Sequence, residues 1–281
     1  MNELVKRGLT GVVIVLITLG GFWLHYVSFY ITGLIILIGA EHEYYKMIRR
    51  ADIHPQELTG IIAGVVAYTL ATIAAAGIVP IDYLVLVTPI LTITLIIELY
   101  RKQEKPFESL AYTFFPMCYV VLPISLFPFS AFLETGLQPI ITHEAVVFSP
   151  GIVIGFFILL WTNDTGAYLF GTAFGKRRLM ERISPKKSWE GFFGGMCLSF
   201  LVAWLISGWL GVVSTKIWCL IAVLISIMGT YGDLVESLLK RNFGVKDSGN
   251  IMPGHGGFLD RFDSTLLAFP IIYLVFLFLG K

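Results

Sequence analysis

Along this chain apolar residues arrive in long unbroken runs separated by short polar breaks. They follow neither the two-residue alternation of a half-buried strand nor the one-sided period of a soluble surface helix. Nine runs, at 9–23, 27–45, 59–78, 83–99, 110–133, 151–174, 191–209, 217–239 and 264–279, approach the roughly 20 residues needed to cross a ~30 Å hydrocarbon layer as helices. The pattern predicts an all-α, polytopic integral membrane protein with about nine transmembrane helices. The first run is short and tightly coupled to the second. The fifth carries Pro116, Pro123 and Pro128, which should kink it or leave part of it unwound, because proline removes a backbone donor and clashes with the preceding turn.

Composition agrees with the pattern. Of 281 residues 56% are hydrophobic and 14% charged, against roughly a quarter charged in soluble proteins, and the mean hydropathy is +0.81. No internal repeat or low-complexity tract stands out. The expectation is a single membrane domain over residues 1–281, with the helices of 1–150 as scaffold and lipid-side elements and 151–281 carrying the active site. Lys6 and Arg7 precede an apolar run, as in a signal peptide. The residues after it are Trp23, Leu24, His25 and Tyr26 rather than a small-x-small cleavage pattern, so the run is read as a retained first helix.

Charge adds an orientation. With nine helices and a cytoplasmic N-terminus, eighteen of the 20 basic residues fall in cytoplasmic segments, leaving Lys216 and Lys281 outside; this is the asymmetry of the positive-inside rule. The expected location is the cytoplasmic membrane, multi-pass, with the site on the cytoplasmic side. A net charge of +1 gives no reason to expect nucleic acid. Cys118, Cys197 and Cys219 all lie within apolar runs without C-x-x-C spacing, and read as small packing residues.

The polar chemistry collects in two segments, GKRRLMERISPKKSWE at 175–190 and SLLKRNFGVKDSGNIMPGHGGFLDRFD at 237–263. Each follows an apolar run with acids near its end: Asp164 in the sixth, Asp233 and Glu236 in the eighth. A carboxylate inside a span is costly unless it faces a cavity, pairs with a base or holds a cation. Glu236 lies one helical turn from Lys240, so a plain ion pair is an equal reading there. Asp260 and Asp263 stand three apart, on one face of a helix that continues as the ninth run. Like charges that close invite a cation, and Mg2+ takes carboxylate oxygens while keeping several waters; Asp233 could join from the neighbouring helix. Gly254, Gly256 and Gly257 allow backbone N–H groups to converge on an anion, helped by the dipole of the helix beginning near Leu259. Lys240, Arg241, Lys246 and Arg261 supply positive charge. His255 suits a phosphate contact better than a metal. In SPKKSWEG, Ser188 is placed to cap the following helix, and Lys186 and Lys187 gain meaning as anion ligands only beside the second segment. Acids for a metal together with bases and N–H groups for oxyanions form the inventory of a phosphoryl or nucleotidyl transfer site.

One false lead is GTAFGKR at 171–177. It resembles a phosphate-binding loop, but its glycine spacing is one short and Arg177 stands where Ser or Thr should follow Lys176. Gly171 and Gly175, like Gly191 and Gly195, read instead as places where helices approach closely.

At this point the residues resemble a known family. Ser237, Lys240, Arg241, Lys246, Asp247, Pro253, His255, Gly256, Gly257, Asp260, Arg261 and Asp263 meet the C-terminal signature of the phosphatidate cytidylyltransferases, S-x-x-K-R, four residues, K-D, then P-x-H-G-G-x-x-D-R-x-D. Asp164, Ala167, Tyr168, Gly171 and SPKKSWEG are similar upstream. The likeness is strong over about the last 120 residues, while the first 150 match only in being hydrophobic. Met252 stands where the family favours Leu, Ile or Phe.

The resemblance implies Mg2+-dependent transfer from CTP to phosphatidic acid, giving CDP-diacylglycerol and pyrophosphate for phospholipid biosynthesis at the cytoplasmic face. In that frame Asp233, Asp260 and Asp263 would hold Mg2+, with room for a second cation. Lys186, Lys187, Ser188, Lys240 and Arg241 would hold phosphates. Lys246, Asp247, His255, Gly256, Gly257 and Asp164 would contact substrate. Expected partners are the two substrates and the bilayer, with a homodimer left open by the glycine pairs. The rivals are a CTP-dependent kinase of long-chain lipid alcohols and a transporter whose intramembrane acids carry ions. Against a transporter, the acids gather on one side.

Overall fold

The computed structural model describes residues 3–134, 146–249 and 256–280. Among these residues ten α-helices follow one another: α1 (Glu3–Leu24), α2 (Tyr26–Arg49), α3 (Glu57–Ala75), α4 (Thr88–Tyr100), α5 (Pro106–Pro116), α6 (Leu122–Ala131), α7 (Gly151–Phe174), α8 (Trp189–Leu210), α9 (Thr215–Asn242) and α10 (Leu259–Leu279). A 3₁₀ segment, Ile81–Val87, leads into α4. The described strands form two short antiparallel ribbons: β1 (Phe132–Glu134) pairs Phe132 with Phe148 of β2 (Val146–Phe148), and β3 (Arg178–Met180) pairs Arg178 with Ser188 of β4 (Ser184–Ser188).

Each of the nine apolar runs is helical over most of its length. Seven stretches among the described residues are long and apolar enough to cross a membrane: α3, the 3₁₀ segment with α4, α5 through α6, and α7 to α10. In α1 the apolar part is the shorter Gly11–Leu24. In α2 the polar group Glu41, His42, Glu43 near the end interrupts the apolar run. The protein is thus an all-α polytopic membrane protein. The proline-rich fifth run stays helical but is not regular: between Pro116 and Leu122 lies one π-helical turn, Met117–Val121. Prolines at 116 and 123 remove two N–H groups that a continuous α-ladder would need, and a wider turn accommodates the loss.

The chain divides into two compact units, Met1–Phe148 with Phe243–Phe262, and Ser149–Asn242 with Asp263–Lys281. In the first, Phe22 packs edge-on against Phe29 and Phe127 with ring centroids 4.9 and 5.7 Å apart. Its buried Glu98 is compensated by Gln56, whose Nε2 donates at 2.6 Å, and by Arg101 at 2.8 Å. A buried carboxylate requires such partners.

In the second unit α8 is built on a four-residue period. Gly191, Gly195, Ser199, Ala203 and Ser207 form its buried stripe, while Phe193, Phe200, Leu201, Trp204, Leu205 and Trp209 are exposed. The small stripe lies on α7. A Cβ on Gly195 would stand 2.5 Å from the Asn163 carbonyl oxygen, and one on Gly166 would stand 2.9 Å from the Gly195 Cα. Small residues that let backbones touch are the usual glue between helices in lipid, where apolar side chains gain nothing by leaving the hydrocarbon. The large apolar face is then the lipid-facing one.

Candidate active site

The α7–α8 seam sets the first wall of a cavity of about 300 Å³, lined by Asn163, Asp164, Ala167 and Tyr168 of α7, by Leu179 and Lys186–Ser188 of the β3–β4 ribbon, by Gly191 and Phe192 of α8, and by Gly229, Thr230 and Asp233 of α9. Five residues singled out from the sequence, Asp164, Lys186, Lys187, Ser188 and Asp233, therefore meet around one space. The volume is at the small end for ligand pockets.

Lys187 reaches the site from β4. Its Nζ lies 2.7 Å from Asp233 Oδ2 and 3.4 Å from the Thr230 carbonyl oxygen, while Asp233 Oδ1 accepts from Ser237 Oγ at 3.1 Å. Ser188 ends the strand and caps α8, its Oγ accepting the Gly191 N–H at 3.2 Å, as the sequence led one to expect. Beside Asp233, Gly232 lets α10 come close: a Cβ there would stand 2.8 Å from both the Asp263 carbonyl oxygen and the Ser264 Cα. The Asp263 carboxylate thereby lies in the field of Asp233 and, less strongly, of Asp164, with Lys187 as the opposing charge. It accepts the Ser264 N–H at 2.6 Å. Two neighbouring carboxylates beside one ammonium repel each other when both are ionised, and a bound cation relieves that repulsion. Among the described residues no three acid, histidine or cysteine side chains form a ready-made cation cage.

Other expected residues have different surroundings. Lys240 forms an ion pair with the fully buried Glu236 one turn earlier on α9, the plainer of the two readings for Glu236. Arg241, Lys246 and Asp247 are exposed. His255, with Pro253 and Gly254, lies outside the described residues. Gly256 has φ +81, a left-handed conformation that favours glycine. Asp260 accepts the Gly257 N–H at 2.9 Å and the Ser248 N–H at 3.1 Å, and the Leu259 N–H goes to Glu43 at 3.0 Å. An anion-binding role is the expectation for the glycine turn and the α10 N-terminus, and two of their donors have acceptors within the protein. The N–H groups of Gly257 and Leu259 are already taken by the protein's own carboxylates, which would also repel a phosphate. The look-alike loop behaves similarly, since the Lys176 and Arg177 N–H groups are accepted by Glu190 at 3.1 and 3.2 Å.

Sequence reasoning missed Asn163, buried on the cavity wall, and Glu43, 1% exposed. The signal was available for both. Each is a polar residue in an apolar run, the same signal that singles out Asp164.

Three relatives are similar to part of the chain. Over 121 residues, 42% of the chain, the sequence is 48% identical to the phosphatidate cytidylyltransferase of Staphylococcus epidermidis. It is 47% identical over the same length to those of Staphylococcus haemolyticus and Staphylococcus aureus. The matched stretch is 46% of each relative's length, a little under half. A family model described as the cytidylyltransferase family matches residues 5–279, nearly the whole chain including the first helices, where the sequence resemblance was weakest. The chain belongs to the cytidylyltransferase family.

Proposed function

We propose that this protein transfers the cytidylyl group of CTP to phosphatidate, releasing pyrophosphate and forming CDP-diacylglycerol for phospholipid biosynthesis. The observation that carries the reading is the cavity where Asp164, Lys186, Lys187 and Asp233 converge, with Asp263 beside Asp233. A phosphatidate oxygen, already anionic at neutral pH, attacks the α-phosphorus of CTP. The new P–O bond forms as the bond from the α-phosphorus to the bridging oxygen of the β-phosphate breaks, and pyrophosphate leaves with the electron pair. No strong general base is required, so the protein's task is positioning and charge neutralisation.

The donor set fits Mg2+. Asp233 and Asp263 supply two carboxylates, and this ion is commonly held by one or two carboxylates plus waters and substrate phosphates. When bound it would neutralise charge on the phosphates. Lys186 and Lys187 attract the nucleotide phosphates, and Asn163 and Tyr168 offer polar edges toward the cavity. Asp260, expected from the sequence as a third ligand, enters this reading as the residue that shapes the glycine turn. We place the site at the cytoplasmic face of the cytoplasmic membrane, with the N-terminus inside, on the distribution of Lys and Arg. One substrate is dissolved in water and the other in lipid, so an interfacial site suits both.

The test is purified protein with Mg2+, phosphatidic acid and CTP labelled on the α-phosphate. Label is expected in the lipid fraction, with unlabelled pyrophosphate released. Label confined to CDP would replace this reading with a lipid kinase.

A further inference from the structure

A carboxylate from α2, in the half of the sequence that resembled the family only in being hydrophobic, grips the segment before α10. Glu43 Oε2 accepts the Ser248 Oγ–H at 3.0 Å and the Leu259 N–H at 3.0 Å. Glu43 and Ser248 are each 1% exposed. Asp260 binds the same two ends from the other side, through the Ser248 N–H at 3.1 Å and the Gly257 N–H at 2.9 Å. Residue 248 and residues 257–259 are therefore clasped by two carboxylates, each holding both ends. On both sides of the clasp a side chain would displace the Glu43 carboxylate. A Cβ on Gly249 would stand 2.2 Å from Glu43 Oε1, and one on Gly257 would stand 2.0 Å from Glu43 Oε2. A side-chain cap of this kind also fixes where α10 starts, since Leu259 is its first residue. One turn further along the same helix is Asp263.

We propose that Glu43 is a positioning residue for the transfer reaction, one that sets the start and rotation of α10, and so the placement of Asp263, by clasping Ser248 and Leu259. The inference rests on the proposed cytidylyl transfer. It requires reach and two acceptor lone pairs at one oxygen, and it does not require negative charge. Gln retains the reach and a carbonyl oxygen able to accept both donors. Asp retains the charge but is one methylene short.

The experiment measures kcat and the KM for CTP in the labelled-CTP assay for wild type, Glu43→Gln, Glu43→Asp and the pair Gly257→Ala and Gly257→Ala/Glu43→Gln. Amide hydrogen exchange at residues 248 and 257–262 is followed in parallel. Glu43→Gln is expected to keep kcat within about threefold of wild type. Glu43→Asp is expected to lose kcat by about 10- to 100-fold, the usual scale for residues that orient a site's direct ligands, with KM for CTP little changed and exchange accelerated at residue 259. Gly257→Ala, whose methyl falls on the Glu43 carboxylate, is expected to lose at least as much as Glu43→Asp, and adding Glu43→Gln is expected not to restore it. Wild-type kcat in Glu43→Asp with unchanged exchange would overturn the proposal. So would an inactive Glu43→Gln beside an active Glu43→Asp, because charge rather than reach would then be the requirement. If wild type itself transfers no label to lipid, the proposed reaction fails while the exchange arm still decides the clasp: faster exchange at residue 259 in Glu43→Asp but not in Glu43→Gln supports it, and the same exchange in both overturns it.

Discussion

Asp260 and Asp263 stand one turn apart on α10 and would be treated alike by any rule that counts carboxylates. Asp260 is wrapped around backbone donors, the N–H groups of Ser248 and Gly257, while Asp263 faces the like charge of Asp233 with Lys187 opposing it. An acid satisfied by N–H groups has its charge already solvated by the fold and acts as scaffold. One set against another acid stores repulsion that a cation relieves, and this is the arrangement found where ions bind. The distinction is one of emphasis, since Asp263 also accepts the Ser264 N–H and Lys187 also reaches the Thr230 carbonyl oxygen, but it sorts other side chains too. Glu43 and Glu190 belong with Asp260; Asp233 and Lys187 belong with Asp263.

The sharpest way to break the comparison is to remove charge from both members. Asp263→Asn is expected to lower label transfer by at least about 100-fold, the scale of removing one group that stabilises charge directly, in protein that still elutes as a folded, membrane-inserted species. Asp260→Asn, which keeps an oxygen able to accept from Gly257, is expected to lose only about tenfold. Equal losses at saturating CTP would return Asp260 to the cation and erase the distinction. Lys187→Met comes next in size. It removes the ammonium shared with Asp233, so the KM for CTP should rise by about tenfold as a phosphate partner is lost. The Mg2+ concentration for half-maximal activity should fall, because the acids are less neutralised. A rise in the Mg2+ requirement would contradict the charge balance drawn for this site.

The sequence made much of the architecture legible. Apolar run length alone located every helical stretch, and for 151–174 it located both ends of α7. Helix length in a membrane is dictated by bilayer thickness, a one-dimensional constraint that a one-dimensional reading can meet. The α7–α8 contact was legible as well, since Gly171, Gly191 and Gly195 have few reasons to recur in a span other than close approach. The cavity was legible as a residue set, Asp164, Lys186, Lys187, Ser188 and Asp233, because polar groups in an apolar chain are costly and tend to share a space. What could not be read was the direction in which each polar group spends its hydrogen bonds. Whether Asp260 turns to a metal or to two N–H groups depends on partners at 248 and 257, and Glu43 finds its partners more than two hundred residues away. Neither pairing leaves a local pattern. Lys240 shows the opposite case: its partner, Glu236, is four residues off, and there the local rule sufficed.

The seam that shapes the cavity offers a structural test of the same contrast. Gly195→Val places a branched side chain where a Cβ already stands 2.5 Å from the Asn163 carbonyl oxygen and 3.0 Å from the Ala167 nitrogen. Backbone cannot yield as a flexible side chain does, so the expected cost is about 1–3 kcal/mol, the range for overpacking, read as a lower melting temperature in detergent and reduced yield of inserted protein. An unchanged melting temperature would mean that α7 and α8 do not meet at this residue.

The smallest expected effect separates location from role. Ser188 lies on the cavity wall, among the residues expected to hold substrate, yet its Oγ accepts the Gly191 N–H at 3.2 Å as the cap of α8. By its position it belongs with Asp263, and by its hydrogen bond it belongs with Asp260. If the hydrogen bond decides, Ser188→Ala should cost about 1 kcal/mol of stability, the typical value for losing an N-cap. The KM for CTP would then shift by less than threefold, and Ser188→Asp, which also caps but adds negative charge, would recover the stability while raising that KM. A large KM change in Ser188→Ala with stability intact would show instead that the hydroxyl serves the nucleotide, and that commitment to the backbone does not by itself remove a side chain from the chemistry of this site.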